Sequence, residues 1–310
     1  MANPSSKISH VWVDVLTPFT PSFQVDTEHW INHIKTLSIK GITHFVLFGK
    51  AGEGECLSTL EKMRALKALT EHKAISNLVL GIQASSPVEI ASLIRNAIQL
   101  GVHQFLITPP AFTDQISREG LVAHFRYITQ LVGQDNWSFF LHIWGSPGPL
   151  QIADASILDL HAACKKHIVG LVDEGTSLAR TNDYLKSFAG ALPVVPTFEP
   201  NALYLKPSPL ISAVANLAPN LVSGLLDEPP PPPADKEVAG LKVRDPHERF
   251  HELQALLNNH PRLPTLKHLM GRFTHDNHWK TLHPPQYPLP EPSQVELDKS
   301  FKQFHIQPNE

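Results

Sequence analysis

The sequence predicts an α/β fold: one (β/α)8 barrel of the TIM type with additional C-terminal helices. Short apolar runs alternate with longer segments of helical periodicity, as in chains of parallel βαβ units. The alternation contains eight candidate strands, which favours a closed barrel over an open, doubly wound sheet. The 310 residues, 42% of them hydrophobic and 18% charged, are enough for one large globular core.

The candidate strands are four to six residues long in most cases and almost wholly apolar. This pattern is typical of parallel strands that are buried on both faces. In chain order they are Val11–Val15, Phe45–Phe48, Leu78–Ile82, Phe105–Thr108, Ser138–Ile143, Val169–Val172, Val194–Pro196 and Leu210–Val214.

The segments between these strands have apolar residues at helical spacing. In the first segment, 27–40, the apolar positions 30, 31, 34 and 37 form one face of a helix. Ser58 before Glu61, and Ser86 before Pro87, are typical helix starts. The other predicted helices are 59–75, 87–100, 118–132, 154–166 and 177–188.

The C-terminal quarter of the chain has a different composition. Pro229–Pro233 is a run of five prolines, which predicts a stiff polyproline II spacer. Helical periodicity returns in 237–258, 265–270 and 294–304. We therefore predict a barrel over 1–226, a spacer over 227–236, and a helical appendage over 237–310 that packs on the barrel.

Charge and cysteine usage exclude several function classes. The net charge is −3 and no basic stripe is present, so neither nucleic acid nor an anionic membrane is an expected partner. Cys56 and Cys164 have no metal-ligand spacing, and neither a signal peptide nor an 18-residue apolar run is visible. We expect a cytoplasmic protein with reduced thiols and no cofactor. His268, His275, His278 and His283 fit no zinc module, and we expect them in a solvated tail.

Five short motifs occur in order at the predicted strand ends, where barrel enzymes place their active sites. They are D-V-L-T-P-F at 14–19, G-K-A-G-E at 49–53, I-T-P-P at 107–110, H-I-V-G-L-V-D at 167–173 and I-S-A-V-A-N-L-A-P at 211–219. This series resembles the dihydrodipicolinate synthase / N-acetylneuraminate lyase family over about residues 10–225.

The resemblance implies a definite chemistry. Members of the family take a 2-oxo acid, usually pyruvate, as a Schiff base on the lysine of the sixth strand. The protonated imine serves as an electron sink, a tyrosine and a threonine relay protons, and an arginine often helps bind substrate. The resemblance also implies a homodimer or homotetramer.

In this chain the corresponding positions are changed. Val172 stands at the lysine position, Ala111 at the tyrosine position and Ser146 at the arginine position, while Lys50 and Ala51 replace two threonines. Valine cannot form an imine, so the usual class I mechanism is not expected here.

The first interpretation is that Lys50 takes over from the missing lysine. The second strand faces the sixth across the barrel, so its ammonium group could reach the usual place. Apolar neighbours such as Val172, Phe112 and Trp144 would lower the pKa of Lys50 by desolvation, as imine formation needs. Lys50 could instead bind a substrate carboxylate, or lie in an exposed loop without a role.

The second interpretation is a different chemistry on the same scaffold. His142 could work with a carboxylate from Glu53, Asp173, Glu174 or Glu199 as acid and base, or ligate a divalent metal. No H-x-H or H-E-x-x-H spacing supports metal. The third interpretation is a non-catalytic barrel, or pseudoenzyme, that binds a small carboxylate.

We therefore predict a lyase-like protein that acts on or binds a small 2-oxo acid or related carboxylate. The expected catalytic residues are Lys50, His142 and Glu199. Because Ala111 replaces tyrosine, the pocket would be larger than in other members. The expected substrate-binding residues are Gly49, Lys50, Ala51, Thr108, Ala111, Trp144, Val172 and Val214.

Overall fold

The computed structural model describes residues 8–72, 77–110, 115–133, 135–144, 152–200, 205, 209–227 and 246–302. Eight parallel strands form one sheet in the order β7-β6-β5-β4-β3-β2-β1-β8. The two ends of this order, β7 and β8, lie beside each other, so the sheet forms a nearly closed barrel. The strands are β1 Ile8–Asp14, β2 Ile42–Leu47, β3 Leu78–Ile82, β4 Gln104–Ile107, β5 Ser138–Ile143, β6 Ile168–Asp173, β7 Val194–Pro196 and β8 Leu210–Ser212. The predicted fold class is confirmed.

The helices lie between the strands and continue after β8. The helix start predicted at Ser58 is present and is a capping box: the Ser58 hydroxyl accepts from the Glu61 backbone N–H, and the Ser58 backbone N–H donates to the Glu61 carboxylate. The helices are α1 Thr27–Ile39, α2 Thr59–Thr70, α3 Pro87–Gln99, α4 Arg118–Val132, α5 Asp154–Ala163, α6 Leu178–Ser187, α7 Pro219–Asp227, α8 Pro246–Asn258, α9 Arg262–Thr274 and α10 Glu291–Phe301. Helix α7 was not predicted from the sequence, and none of the helices in the described ranges could span a membrane.

The barrel interior is filled by an apolar layer with one side chain from each strand. Its members are Trp12, Val46, Val79, Leu106, Phe140, Val172, Val195 and Ile211. Side chains in a strand point to the same face at every second position, so residues two positions later reach the layer above. Asp14, His142 and Glu174 occupy those later positions, and the polar groups therefore lie directly above Val172.

The helices after β8 pack onto the mouth of the barrel. Lys267 of α9 is fully buried, and its Nζ lies 2.6 Å from Glu53 Oε1 and donates to the Thr17 carbonyl at 2.9 Å. The same ammonium group lies 4.4 Å from the centre of the Phe19 ring. Burial raises the pKa of Glu53 and lowers that of Lys267, and their mutual attraction opposes both shifts.

The prediction that the C-terminal histidines form a solvated tail is wrong for at least two residues. His268 is buried and its Nε2 lies 2.8 Å from Asp298 of α10. The His283 backbone N–H donates to Glu53, and its ring packs edge-on against Phe19. Imidazole rings have apolar faces as well as polar nitrogens, so a histidine-rich stretch can pack where carboxylates face it. The proline run 229–233 lies outside the described residues, and the division into three segments stays a prediction.

We predict that Lys267→Met lowers the free energy of unfolding by about 3–5 kcal/mol, because it leaves the Glu53 carboxylate buried without its cation. Chemical denaturation measures this loss. The double variant Glu53→Gln/Lys267→Met should recover most of it, since neither charge then remains. A single variant as stable as the unmodified chain would contradict the anchoring role.

Candidate active site

Four titratable side chains meet at the carboxyl end of the barrel. Asp14 ends β1, Lys50 follows β2, His142 lies near the end of β5, and Glu174 follows β6. The Glu174 carboxylate lies between two of the others: its Oε1 is 2.9 Å from Lys50 Nζ, and its Oε2 is 2.6 Å from His142 Nε2. One carboxylate thus connects β2 with β5 and β6 across the mouth.

The contact between His142 and Glu174 is short and buried. The side chain of His142 is 3% exposed, and its ring nitrogens have no aligned hydrogen bond to any described residue. Burial raises the pKa of Glu174, but the nearby His142 and Lys50 outweigh burial and place that pKa below its ordinary value. Glu174 is therefore an anion that can attract a proton on the imidazole.

The Asp14 carboxyl group has different surroundings from the Glu174 carboxylate. Its Oδ2 accepts a hydrogen bond of 2.9 Å from the Ala51 backbone N–H, and its Oδ1 is buried without a partner in the part of the chain described. Burial, which outweighs that hydrogen bond, raises the pKa of Asp14 from 3.8 to about 7. A carboxyl group with a pKa near neutrality can both give and take a proton.

A glycine makes this position possible. A Cβ added at Gly49 would lie 2.3 Å from Asp14 Oδ1. Any larger residue would push the carboxyl group from its place, so the first residue of the G-K-A-G-E motif leaves room for Asp14, and its predicted role in substrate binding stays a prediction.

A cavity of about 410 Å³ opens above these groups. Lys50 and Trp144 form part of its wall, and the Lys50 Nζ lies 5.7 Å from the Trp144 ring centre. The start of α9 closes another side. The lining residues include Asp14, Lys50, Ala51, Trp144, Glu174, Thr176, Thr197, Phe198, Ala213, Arg262 and Gln286. The volume and mixed lining suit a small polar ligand.

The structure brings some of the predicted binding residues to this cavity and leaves others out. Lys50, Ala51 and Trp144 line it, whereas Thr108 donates its hydroxyl to the Ile82 carbonyl and Val172 lies in the apolar layer below. Val214 is buried in a short 3-10 helix after β8 and also does not line the cavity. Ala111, Phe112 and Ser146 lie outside the described residues.

Glu199 is an anchor and does not face the cavity, contrary to the expectation of proton transfer. Its carboxylate is 1% exposed and accepts from Ser212, the Val214 N–H, Gln254 and Arg262. Four donors leave it no free lone pair to serve as a base.

Other carboxylates that the sequence suggested also have structural roles. Asp173 accepts from the Thr181 hydroxyl at 2.6 Å and from the Gly175 N–H at 3.0 Å, which fixes the start of α6. Glu53 holds Lys267. Strand alternation explains the difference, because Asp173 points outward to the helices while Glu174 and Val172 point inward.

The desolvation of Lys50 that the first interpretation required is absent. Its side chain is 58% exposed and its ammonium group is paired with Glu174. Val172 is too deep to shield it. An exposed, paired ammonium lacks the apolar burial on which a Schiff-base lysine depends.

Two residues of the site were not selected from the sequence. Asp14 lies inside the first predicted strand, Val11–Val15, two positions after Trp12, and this inward register was the available signal. Arg262 reaches the cavity from α9, and no local pattern around it indicates this, since it depends on how α9 packs.

Eight strands with titratable groups at their carboxyl ends define a (β/α)8 barrel of the kind that enzymes use. The model of the dihydrodipicolinate synthetase family matches residues 7–137. An uncharacterized DapA-like lyase of Chloroflexus aurantiacus is 30% identical over 144 residues, which cover 46% of this chain and 47% of the relative. A 4-hydroxy-tetrahydrodipicolinate synthase of Rhizobium meliloti is 25% identical over 67% of this chain and 70% of its own.

The fold comparison extends over almost the whole chain. A prophage protein of the dihydrodipicolinic acid synthase family from E. coli K12, solved in complex with pyruvate, superposes with a TM-score of 0.80 at 19% identity. The alignment covers 96% of this chain and 99% of that one. Sequence matches with the first relative span only about half of its length. The chain is similar to the dihydrodipicolinate synthase family, as its motifs predicted, and Val172 stands where the resemblance places the family's lysine.

We predict that Asp14→Asn changes how stability depends on pH. The pKa of Asp14 in the folded chain, about 7, lies above its ordinary 3.8. The folded state thus binds this proton more tightly than the unfolded state does. The resulting stabilisation of the folded state is complete below about pH 4 and is lost as the pH rises through 7. Asparagine resembles the protonated acid at every pH, so the variant should be more stable than the unmodified chain at pH 8, by up to roughly 4 kcal/mol.

Denaturant unfolding of both proteins between pH 4 and 8 measures this difference. All other groups titrate in both proteins, so their effects cancel in the comparison. A stability difference that does not change with pH would show that Asp14 ionises in its ordinary range.

Proposed function

We propose that this chain binds a small 2-oxo acid or related carboxylate at the barrel mouth and acts on it as a lyase by acid–base chemistry, without an imine. The observation that carries the proposal is the Glu174 carboxylate between His142 and Lys50, beside Asp14. Asp14, Lys50 and Glu174 line the cavity and His142 contacts Glu174 beside it, so together they offer a proton acceptor, a proton donor and a fixed positive charge.

Lys50 is suited to bind the substrate carboxylate. Its ammonium group is accessible from the cavity and is already placed by Glu174 and by the face of Trp144. A ligand carboxylate can share this ammonium with Glu174. Pyruvate in the E. coli relative, and the 2-oxo acid chemistry that the resemblance implies, support this class of ligand.

His142 and Asp14 are suited to move protons. In cleavage of a 4-hydroxy-2-oxo acid, His142 would take the hydroxyl proton, with Glu174 stabilising the resulting imidazolium. The C3–C4 bond then breaks to leave an aldehyde and the enolate of the 2-oxo acid. Protonated Asp14 and the Lys50 ammonium group would stabilise the enolate, and Asp14 would return a proton to C3.

This arrangement replaces a covalent electron sink with electrostatic stabilisation. Such stabilisation is strongest where water is excluded, and His142 is deeply buried while Asp14 is partly buried. A metal-dependent alternative has less support, because no third ligand atom joins His142 and Glu174 in a metal-sized group within the described ranges. Cytoplasmic location and assembly as a homodimer or homotetramer stay predictions.

We predict that Lys50 and His142 variants separate binding from turnover. Lys50→Met should weaken binding of a 2-oxo acid at least tenfold, measured by calorimetry with pyruvate. His142→Gln should leave that affinity within a few fold but lower the rate of pyruvate release from a panel of 4-hydroxy-2-oxo acids by about 10²–10⁴-fold.

Lys166→Met is the matched control, because Lys166 is 76% exposed and its partner Asp135 is 78% exposed. It should change neither quantity. Binding that needs Lys50, with no turnover of any substrate in the panel, would show a non-catalytic binding protein. Unchanged affinity in Lys50→Met would refute the proposed carboxylate site.

A further inference from the structure

A second polar cluster lies away from the barrel mouth, where the start of α1 meets the 3-10 helix Asn277–Lys280. Two aspartates and two histidines alternate in it. His29 Nδ1 lies 2.9 Å from Asp26 Oδ1, and His29 Nε2 lies 3.3 Å from Asp276 Oδ2. His278 Nδ1 lies 2.8 Å from Asp276 Oδ1, and His278 Nε2 lies 3.8 Å from Asp26 Oδ2.

We propose that this cluster is a binding site for a divalent transition-metal ion such as zinc, with Asp26, His29 and His278 as its ligands. One ligand atom from each of these three residues can be chosen so that all lie within 4.8 Å of one another. Imidazole nitrogen and carboxylate oxygen are ordinary zinc ligands.

The distances fit an ion of this size. Zinc bonds to nitrogen and oxygen are about 2.1 Å long, so a tetrahedral ion places its ligand atoms roughly 3.4 Å apart. Asp26 lies 2.9 Å from His29 Nδ1 through Oδ1 and 3.8 Å from His278 Nε2 through Oδ2, on either side of that value. The three ligand atoms are thus already close to the spacing that such an ion requires.

Asp276 prepares His278 for this role. A proton on His278 Nδ1 can be donated to Asp276 Oδ1, which leaves the Nε2 lone pair free and directed toward Asp26. Carboxylates commonly hold zinc-binding histidines in this way. Asp276 itself is fixed because the same oxygen accepts from the His278 backbone N–H at 2.9 Å.

The site is accessible to an ion from solvent. The side chains of His29 and His278 are 38% and 43% exposed, and their ring centres lie 4.3 Å apart. A cavity of about 360 Å³ adjoins both histidines and Asp276. Water in that cavity can supply the fourth ligand. Sequence spacing did not predict the site because its ligands come from opposite ends of the described chain.

The site would have a structural consequence. Asp26 is the N-cap of α1 on the barrel, whereas His278 belongs to the segment between α9 and α10. A bound ion would connect the C-terminal helices to the barrel by a second route, apart from the Lys267–Glu53 pair. It is distinct from the barrel-mouth cavity and does not depend on the proposed lyase activity.

Titration of the full chain with ZnCl2 by calorimetry, and with Co²⁺ by visible absorption, tests the proposal. We expect one equivalent to bind, with the strong visible bands of tetrahedral Co²⁺ and a rise of several degrees in Tm on adding zinc. His29→Gln and His278→Gln should each weaken zinc binding at least tenfold. Asp26→Asn should do the same and still cap α1, because asparagine is a good N-cap residue.

His251→Gln is the matched control, because this histidine is exposed on α8, outside the cluster. It should bind zinc like the unmodified chain. Absence of stoichiometric binding, or equal affinity in the His29, His278 and control variants, would overturn the proposal.

Discussion

The apolar layer that fills the barrel decides where chemistry can occur in this protein. Each of the eight strands contributes one side chain to it, and Val172 of β6 is completely buried there. Asp14, His142 and Glu174 lie two positions after Trp12, Phe140 and Val172 of this layer, so they lie on the carboxyl-end side of it. Val172, which the resemblance places at the family's lysine position, is one of the side chains of this layer. The acid–base chemistry that we propose uses the titratable side chains that lie above this apolar layer.

Those groups form a connected system. Glu174 holds the His142 imidazole and the Lys50 ammonium group in place, and the three residues come from separate strand ends. Asp14 is kept apart by burial and by the backbone of the loop after β2, which gives it a pKa near neutrality. The C-terminal helices complete the cavity because Lys267 ties α9 to that same loop through Glu53. Fold stability and site geometry therefore depend on shared contacts.

The sequence predicted the barrel well because alternation of apolar runs and amphipathic segments is local. The approximate strand ends followed from that alternation. The helix start at Ser58 followed from a serine placed three residues before Glu61. The roles of individual residues were harder to predict from the sequence. Glu174 and Glu199 both follow strands, but only the three-dimensional path of Arg262 and Gln254 shows that Glu199 is used as an anchor.

Burial of polar groups was the weakest part of the sequence prediction. Lys50 was expected to be shielded and is exposed, whereas Lys267 attracted no attention and is fully buried. Composition does not distinguish these cases, because burial of a charge depends on a partner that folding brings from far along the chain. The histidines near residue 278 show the same limit, since their partners lie in α1.

The imine-free reaction proposed for this barrel can be tested by borohydride reduction in the presence of pyruvate, followed by intact-mass measurement and peptide mapping. A relative that keeps the lysine of the sixth strand should gain the mass of reduced pyruvate in a parallel reaction. We expect this chain to gain no such mass. A stable adduct mapped to Lys50 would contradict the imine-free reaction and show that the reactive amine has moved across the barrel.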